Sequence, residues 1–202
     1  MTLARIVSTL LHPIFMPLIG VIIIFQSGIY SVDIPFEFKK FVILVVFLCH
    51  ILLPLSIIPS LIYFRKVQNV SINERRERLI PLFFTTICFY LGYFIVSRYS
   101  PTKAINLYLL SSALVVLLIL IISLFWKISI HMSGIGGVTA MIAVISAGYR
   151  IDMSFVLCIV LLGTGAMASS RLKLRTHSTL QLFAGYMLGF VSVGVLMLQL
   201  II

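Results

Sequence analysis

The fold class of this chain is decided by residues 41 to 64, which read FVILVVFLCHILLPLSIIPSLIYF. The stretch contains no Asp, Glu, Lys or Arg. It is longer than the roughly 20 apolar residues that a helix needs to cross a bilayer. The stretch therefore predicts a transmembrane helix.

Further hydrophobic runs lie on both sides of this stretch. They cover about Leu11 to Ile29, Leu82 to Val96, Ile105 to Trp126, Ser133 to Gly148, Met153 to Ala168 and Leu180 to Ile202. The 202 residues are 61% hydrophobic and 10% charged, a composition for which the membrane is the solvent. We predict an all-α, polytopic transmembrane helical bundle of seven spans, formed as a single integral membrane domain over residues 1 to 202. Six spans are the alternative, because the first run contains Pro13 and Pro17.

The charge balance is strongly basic, with a formal net charge of +10 from 15 Lys and Arg against five acidic residues. Zinc-finger spacing, aromatic–basic interleaving and a Walker loop are all absent from the sequence, so we expect no nucleic-acid partner. Membrane lipids and a phosphate group are the expected partners. Cys49, Cys88 and Cys158 lie inside apolar runs without the spacing of metal ligands, and we predict neither a metal site nor a cofactor.

Three polar clusters fall on one face of the membrane if the seven spans alternate. They lie around Arg75 to Arg78, around His131 and around Arg171 to His177, and two spans separate each cluster from the next. The basic residues assigned to this face are Arg5, Arg65, Lys66, Arg75, Arg76, Arg78, Lys127, Arg171, Lys173 and Arg175. We expect the clusters to meet at one site, whichever side of the membrane this face occupies.

The residue types in these clusters suit a phosphate ester. Guanidinium groups such as that of Arg171 offer forked donors that neutralise a phosphate and hold its oxygens. A helix predicted to begin at Ser133 and Gly134 would add backbone amides to such a site. The imidazole of His177 can attack phosphorus to form a phosphoenzyme, and Gln181 lies four residues further on, one turn away if the segment is helical.

The third cluster, residues 170 to 181, reads SRLKLRTHSTLQ. Ser170, Arg171 and His177 in it follow the pattern S-R-x5-H. The cluster resembles the third signature of the type 2 phosphatidic acid phosphatase family, S-R-x5-H-x3-D, with Gln181 at the aspartate position.

The other two clusters resemble the family's remaining motifs more loosely. Residues 131 to 135, HMSGI, resemble P-S-G-H in Ser133 and Gly134, with Ile135 at the histidine position. Residues 73 to 81, NERRERLIP, resemble K-x6-R-P as a basic stretch that runs into a proline. The resemblance covers residues 73 to 181 and implies a family-like core at about residues 65 to 202.

This resemblance implies a metal-independent enzyme of the bacterial inner membrane that hydrolyses a lipid phosphate or a polyprenyl or lipid pyrophosphate. His177 would be the nucleophile, Gln181 would orient it, and His131 would protonate the leaving group. The phosphate would be bound by Arg75, Arg76, Arg78, Ser133, Gly134, Ser170 and Arg171. The oligomeric state stays open.

Two other functions also stay open. One is a catalytically degenerate relative that binds or moves a phospholipid in the same basic pocket, which the neutral residues Gln181 and Ile135 favour. The other is a small transporter unrelated to this family, in which Arg171 and His177 would lie far from the Arg75 to Arg78 loop. His12 and His50 are predicted to be packing residues within apolar runs.

Overall fold

The computed structural model describes residues 3–29, 34–64, 75–99 and 102–201. Every regular element within these ranges is helical. Seven helical stretches among the described residues are long and apolar enough to cross a membrane. The predicted polytopic helical bundle is confirmed, with seven candidate spans rather than six.

The α-helices follow the chain in simple order. They are α1 (Leu3–Leu10), α2 (Met16–Gln26), α3 (Phe36–Val46), α4 (Leu53–Tyr63), α5 (Leu79–Tyr99), α6 (Lys103–Ser123), α7 (Ile130–Tyr149), α8 (Ser154–Lys173) and α9 (Thr179–Met197). Short 3-10 turns cover Pro13–Phe15, Arg76–Arg78 and Leu198–Leu200. The spans alternate in direction, so the starts of α1, α5, α7 and α9 share one face with the ends of α4, α6 and α8.

The first span runs from Leu3 to Gln26 but is broken in its middle. His12 has extended backbone angles, φ −65° and ψ 136°, which separate α1 from the turn that leads into α2. The cause is Pro13, because a proline disfavours the helical conformation of the residue before it. The break brings polar residues of the first span beside the start of α7.

The second span contains the stretch that decided the fold class. A π-helical segment, Phe47–Leu52, joins α3 to α4, and Pro54 follows it in the first turn of α4. Pro54 has no amide hydrogen to donate to the carbonyl of His50, so the wider π turn occurs where regular helical bonding is interrupted. The span is therefore continuous but not uniformly α-helical.

Helix α7 is the most enclosed of the described spans, with 67% of the residues in its apolar stretch buried. Its closest neighbour is α9, because glycines let the two backbones approach. A Cβ atom on Gly189 would collide with the carbonyl oxygen of Ser133, and one on Gly136 would collide with the carbonyl oxygen of Tyr186. This packing sets the start of α7 beside the start of α9.

Candidate active site

A cavity of about 840 Å³ lies where the three polar clusters meet. Its polar wall contains three arginines and three histidines, namely Arg5, Arg78, Arg171, His12, His131 and His177. None of the described Asp or Glu residues lines this cavity. Since its described residues bring positive charge and no carboxylate, the wall is complementary in charge to an anion.

The turn between α8 and α9 is shaped by local hydrogen bonds. Arg175 has a left-handed backbone with φ 51°, and its N–H donates to the Leu172 carbonyl at 2.9 Å. The Thr176 N–H donates to the Arg171 carbonyl at 3.3 Å. Together these bonds form a Schellman motif that ends α8 abruptly. His177 follows directly and lines the same cavity as Arg171.

The start of α9 fixes the position of His177. Ser178 is the N-cap residue, and it forms a capping box with Gln181. The Ser178 N–H donates to Gln181 Oε1 at 3.1 Å, and the same oxygen lies 3.2 Å from His177 Nδ1. Because Oε1 only accepts hydrogen bonds, Nδ1 carries the proton. In the neutral imidazole, Nε2 is then the nitrogen with a free lone pair.

The electrostatics of the site keep His177 neutral. Its side chain is 7% exposed. Burial lowers the pKa of His177 to about 4, with further lowering by the charges of Arg171 and Arg78 and a partial increase from the Gln181 hydrogen bond. The imidazole is therefore unprotonated at neutral pH, which is the form that can act as a nucleophile.

Arg171 lies in the last turn of α8 and lines the cavity. Its Nε is buried and has no hydrogen-bond partner in the described part of the chain. A buried donor left without a partner costs about 1–3 kcal/mol. An anion in the cavity would supply the missing acceptor.

His131 and His12 stand together in the cavity wall. Their rings are 5.2 Å apart, edge to face. The His131 imidazole also interacts electrostatically with Arg171 and His177. His12 was expected to be a packing residue, and its place in this wall corrects that prediction. The His12-Pro13 pair inside an apolar run was the signal, because proline breaks the helix there.

The predicted helix start at Ser133 and Gly134 is wrong. Helix α7 begins at Ile130, and Ser129 is its N-cap, with Oγ accepting the Met132 N–H at 3.5 Å. The Ser133 N–H donates to the Ser129 carbonyl at 3.1 Å, and Ser133 Oγ donates to the same carbonyl at 3.0 Å. Ser133 and Gly134 both border the cavity, but their backbone amides lie inside the helix. The amides that are free to bind an anion belong to the first turn of α7, at Ile130 and His131.

The start of α7 is tied directly to the start of α9. The Ser129 N–H donates to the Gln181 carbonyl at 3.4 Å, while Gly185 lets the α9 backbone approach the Ser129 carbonyl closely. The first turn of α7, which contains His131, is therefore held in a fixed position relative to the His177–Gln181 pair.

Of the three arginines predicted in the first cluster, Arg78 lines the cavity. It is buried, and its Nη1 donates to the Ile128 carbonyl at 3.5 Å. Arg75 instead donates from Nη1 to the Leu124 carbonyl at 2.7 Å, at the end of α6. Arg76 is exposed, and neither Arg75 nor Arg76 lines the cavity. The cavity therefore gives no support to the phosphate-binding role predicted for these two residues.

Ser170 also lies outside the cavity wall. Its hydroxyl donates to the Ala166 carbonyl in its own helix at 2.8 Å, so the structure gives no support to its predicted phosphate contact. Serine hydroxyls inside helices commonly make this bond. Arg65, Lys66 and the first two residues of the 73–81 motif lie outside the described residues.

Much of the remaining cavity wall is apolar. It is built by α4, α5 and α6, with Leu55, Ile58, Leu82, Phe89, Val115, Val116 and Ile119. A second groove of about 520 Å³ along α4 shares Leu55 and Ile58 with the cavity. The lining of the site therefore combines cationic groups with a hydrocarbon-like surface.

Among the described residues, no group of three His, Cys, Asp or Glu side chains is placed to hold a metal ion. Comparisons of the chain with family models, curated proteins and solved structures found no match. The resemblance to the type 2 phosphatidic acid phosphatases therefore stays a prediction from the sequence motifs.

Proposed function

We propose that this chain is a lipid phosphatase of the bacterial inner membrane, which hydrolyses a lipid phosphate or a polyprenyl or lipid pyrophosphate through a phosphohistidine. The observation that carries the proposal is the His177–Gln181 contact, which leaves Nε2 of a buried imidazole as the reactive nitrogen. The motif resemblance supports the reaction class and the bacterial inner membrane.

The cationic wall supports binding of the phosphate group. Arg171 and Arg78 line the cavity with His177, and a guanidinium binds phosphate oxygens through paired, charge-assisted hydrogen bonds. The first-turn amides of Ile130 and His131 at the start of α7 add donors with partial positive charge. These groups would neutralise the charge that builds up on the phosphoryl oxygens during transfer.

The reaction needs two steps. In the first, the Nε2 lone pair of His177 attacks phosphorus and the bond to the leaving oxygen breaks. His131, which takes up a proton together with the anionic substrate, gives that proton to the leaving oxygen. In the second, water attacks phosphorus, the P–Nε2 bond breaks, and His131 takes a proton from the water. The products are inorganic phosphate and the lipid alcohol, or the lipid monophosphate when the substrate is a pyrophosphate, and both imidazoles return to their initial states.

The apolar wall favours a lipid over a water-soluble ester. A hydrocarbon chain attached to a phosphate bound at Arg171 would contact the α4 and α6 side chains around Ile58 and Val115. Each buried methylene contributes about 0.8 kcal/mol to binding. A water-soluble ester would leave this wall without a ligand.

The test is phosphate release by the purified protein in detergent, supplied with lipid phosphates and polyprenyl pyrophosphate. His177→Ala should abolish release, whereas Lys173→Ala, which removes an exposed basic residue outside the cavity wall, should not change it. Radiolabelled substrate should leave acid-labile, base-stable phosphate on the wild type. Equal release by wild type and His177→Ala would refute the proposal.

The second candidate is a protein that binds or moves a phospholipid without hydrolysis. Gln181 favours it, because a neutral amide stabilises an imidazolium less well than a carboxylate does. Ile135 is 3% exposed and brings no proton-transfer group to the site. Lipid binding that depends on Arg171, without any phosphate release, would support this candidate.

The transporter alternative carried a geometric expectation, namely that Arg171 and His177 lie far from the Arg75 to Arg78 loop. Arg78 lines the same cavity as both residues and interacts electrostatically with His177. That expectation is therefore not met.

A further inference from the structure

His12 is a cavity residue that the proposed reaction does not use. Its Nδ1 accepts a hydrogen bond from the Ile14 N–H at 3.3 Å, which makes it the N-cap of the turn at the break in the first span. A neutral imidazole that accepts at Nδ1 carries its proton on Nε2. The backbone therefore selects the tautomer in which His12 has an Nε2–H to donate.

None of the hydrogen bonds among the described residues uses this Nε2–H, although His12 is half-buried in the cavity wall. The ring packs edge to face against His131 at 5.2 Å and interacts electrostatically with Arg171. A donor beside an arginine, in a cavity that none of the described carboxylates lines, suits an oxyanion.

We propose that His12 is an anion-binding residue, whose Nε2–H donates to a phosphate oxygen of the ligand held by Arg171. This inference rests on the proposed anion cavity and adds the first span to it. The first span then has two roles at this position, since Nδ1 fixes the chain break while Nε2 contacts the ligand.

Two substitutions separate these roles. In His12→Asn, the Oδ1 atom occupies the place of Nδ1 and retains the cap on Ile14, but the Nε2 donor is lost. In His12→Gln, the terminal amide nitrogen reaches the place of Nε2 and retains the donor, but the cap is lost. A role in folding alone predicts that Gln is the harmful change, whereas a role in anion binding predicts that Asn is.

The measurement is the affinity of the full-length protein in detergent micelles for dodecylphosphonate, a non-hydrolysable lipid anion. A hydrogen bond to a charged group is worth a factor of about 10 to 100 in affinity. We expect His12→Asn to weaken binding by that factor and His12→Gln to stay within about threefold of wild type. Dodecyltrimethylammonium has the same chain and the opposite charge. Its affinity should be the same for the wild type, His12→Asn and His12→Gln.

Unchanged affinity in His12→Asn would overturn the inference, as would equal losses in both variants or a loss confined to His12→Gln. Failure of the wild type to bind the phosphonate would overturn both this inference and the proposed function. If the wild type binds the phosphonate but releases no phosphate from lipid substrates, hydrolysis is refuted, and the two variants still decide the role of His12.

Discussion

Replacing Gln181 by glutamate adds one negative charge at the atom that holds His177, with almost no change in shape. The oxygen concerned lies 3.2 Å from His177 Nδ1. Glutamate at this position also retains the capping box with Ser178, for which it is a usual partner. The substitution therefore changes the electrostatics of the imidazole and leaves the start of α9 intact.

The size of the effect follows from this distance. An opposite charge within about 4–6 Å shifts a pKa by about 1 to 3, so the pKa of His177 should increase from about 4 to between roughly 5 and 7. The same stabilisation, about 1.4 to 4 kcal/mol, applies to the positive charge that the imidazole gains when it attacks phosphorus. We expect Gln181→Glu to increase the rate of phosphoenzyme formation by about tenfold to a thousandfold.

The pH dependence gives a second measurement of the same effect. His177 must be neutral to attack, so activity is lost as the pH falls through its pKa. The wild type should show no loss from His177 between pH 7 and pH 5, because its pKa is about 4. In Gln181→Glu the loss should begin at a higher pH, in step with the raised pKa.

The assay is single-turnover release of phosphate in detergent, at several pH values. A double-mutant cycle with His177→Ala is the control, because glutamate should bring no gain when the imidazole is absent. Unchanged rates and an unchanged pH profile in Gln181→Glu, with α9 still folded by circular dichroism, would show that the His177–Gln181 contact has no part in the chemistry.

Three further predictions concern the rest of the site. Arg171→Ala should weaken dodecylphosphonate binding by about tenfold or more, because a charged hydrogen-bond partner is lost, while Lys173→Ala should bind as wild type; isothermal titration in micelles would show the difference, and equal binding would contradict the cavity assignment. Ile58→Trp should fill the apolar wall and slow phosphate release from long-chain lipid phosphates, while release from a short, water-soluble phosphate ester stays unchanged; equal slowing of both would mean that no chain binds there. Gly189→Ala should destabilise the fold by about 1–3 kcal/mol or more, because its Cβ meets the Ser133 carbonyl, whereas Gly165→Ala, with no atom within 4 Å of the added Cβ, should be neutral or slightly stabilising; thermal denaturation in detergent would compare the two.

The fold class could be predicted because hydropathy acts over whole segments. A run such as residues 41 to 64 has no alternative to the membrane, whatever its neighbours are. Counting spans then placed the clusters at Arg78, His131 and His177 on one face, where the structure also has them. The i+4 relation of His177 and Gln181 produced the expected contact, although His177 lies before α9 and not within it.

The roles of individual polar residues were harder to predict, because unpaired backbone groups at helix ends form hydrogen bonds with polar side chains that could otherwise contact a ligand. Arg75 is satisfied by the Leu124 carbonyl, 49 residues away along the chain, and spacing along the sequence does not reveal such a partner. Ser129 caps α7 and thereby moves the free amides away from Ser133. His12 was predicted to be a packing residue because it lies in an apolar run. The helix break at Pro13 instead places its side chain in the cavity wall.

By itself, the sequence determined that this chain is a polytopic helical membrane protein, and it predicted that three polar clusters share one face, since both follow from local composition and the alternation of spans. Only the tertiary structure decided which of those residues share a cavity. The physical reason is that glycine-mediated contact of α7 with α9 and the capping bonds at their starts set side-chain positions to within a few ångströms, and these contacts join residues far apart in the chain.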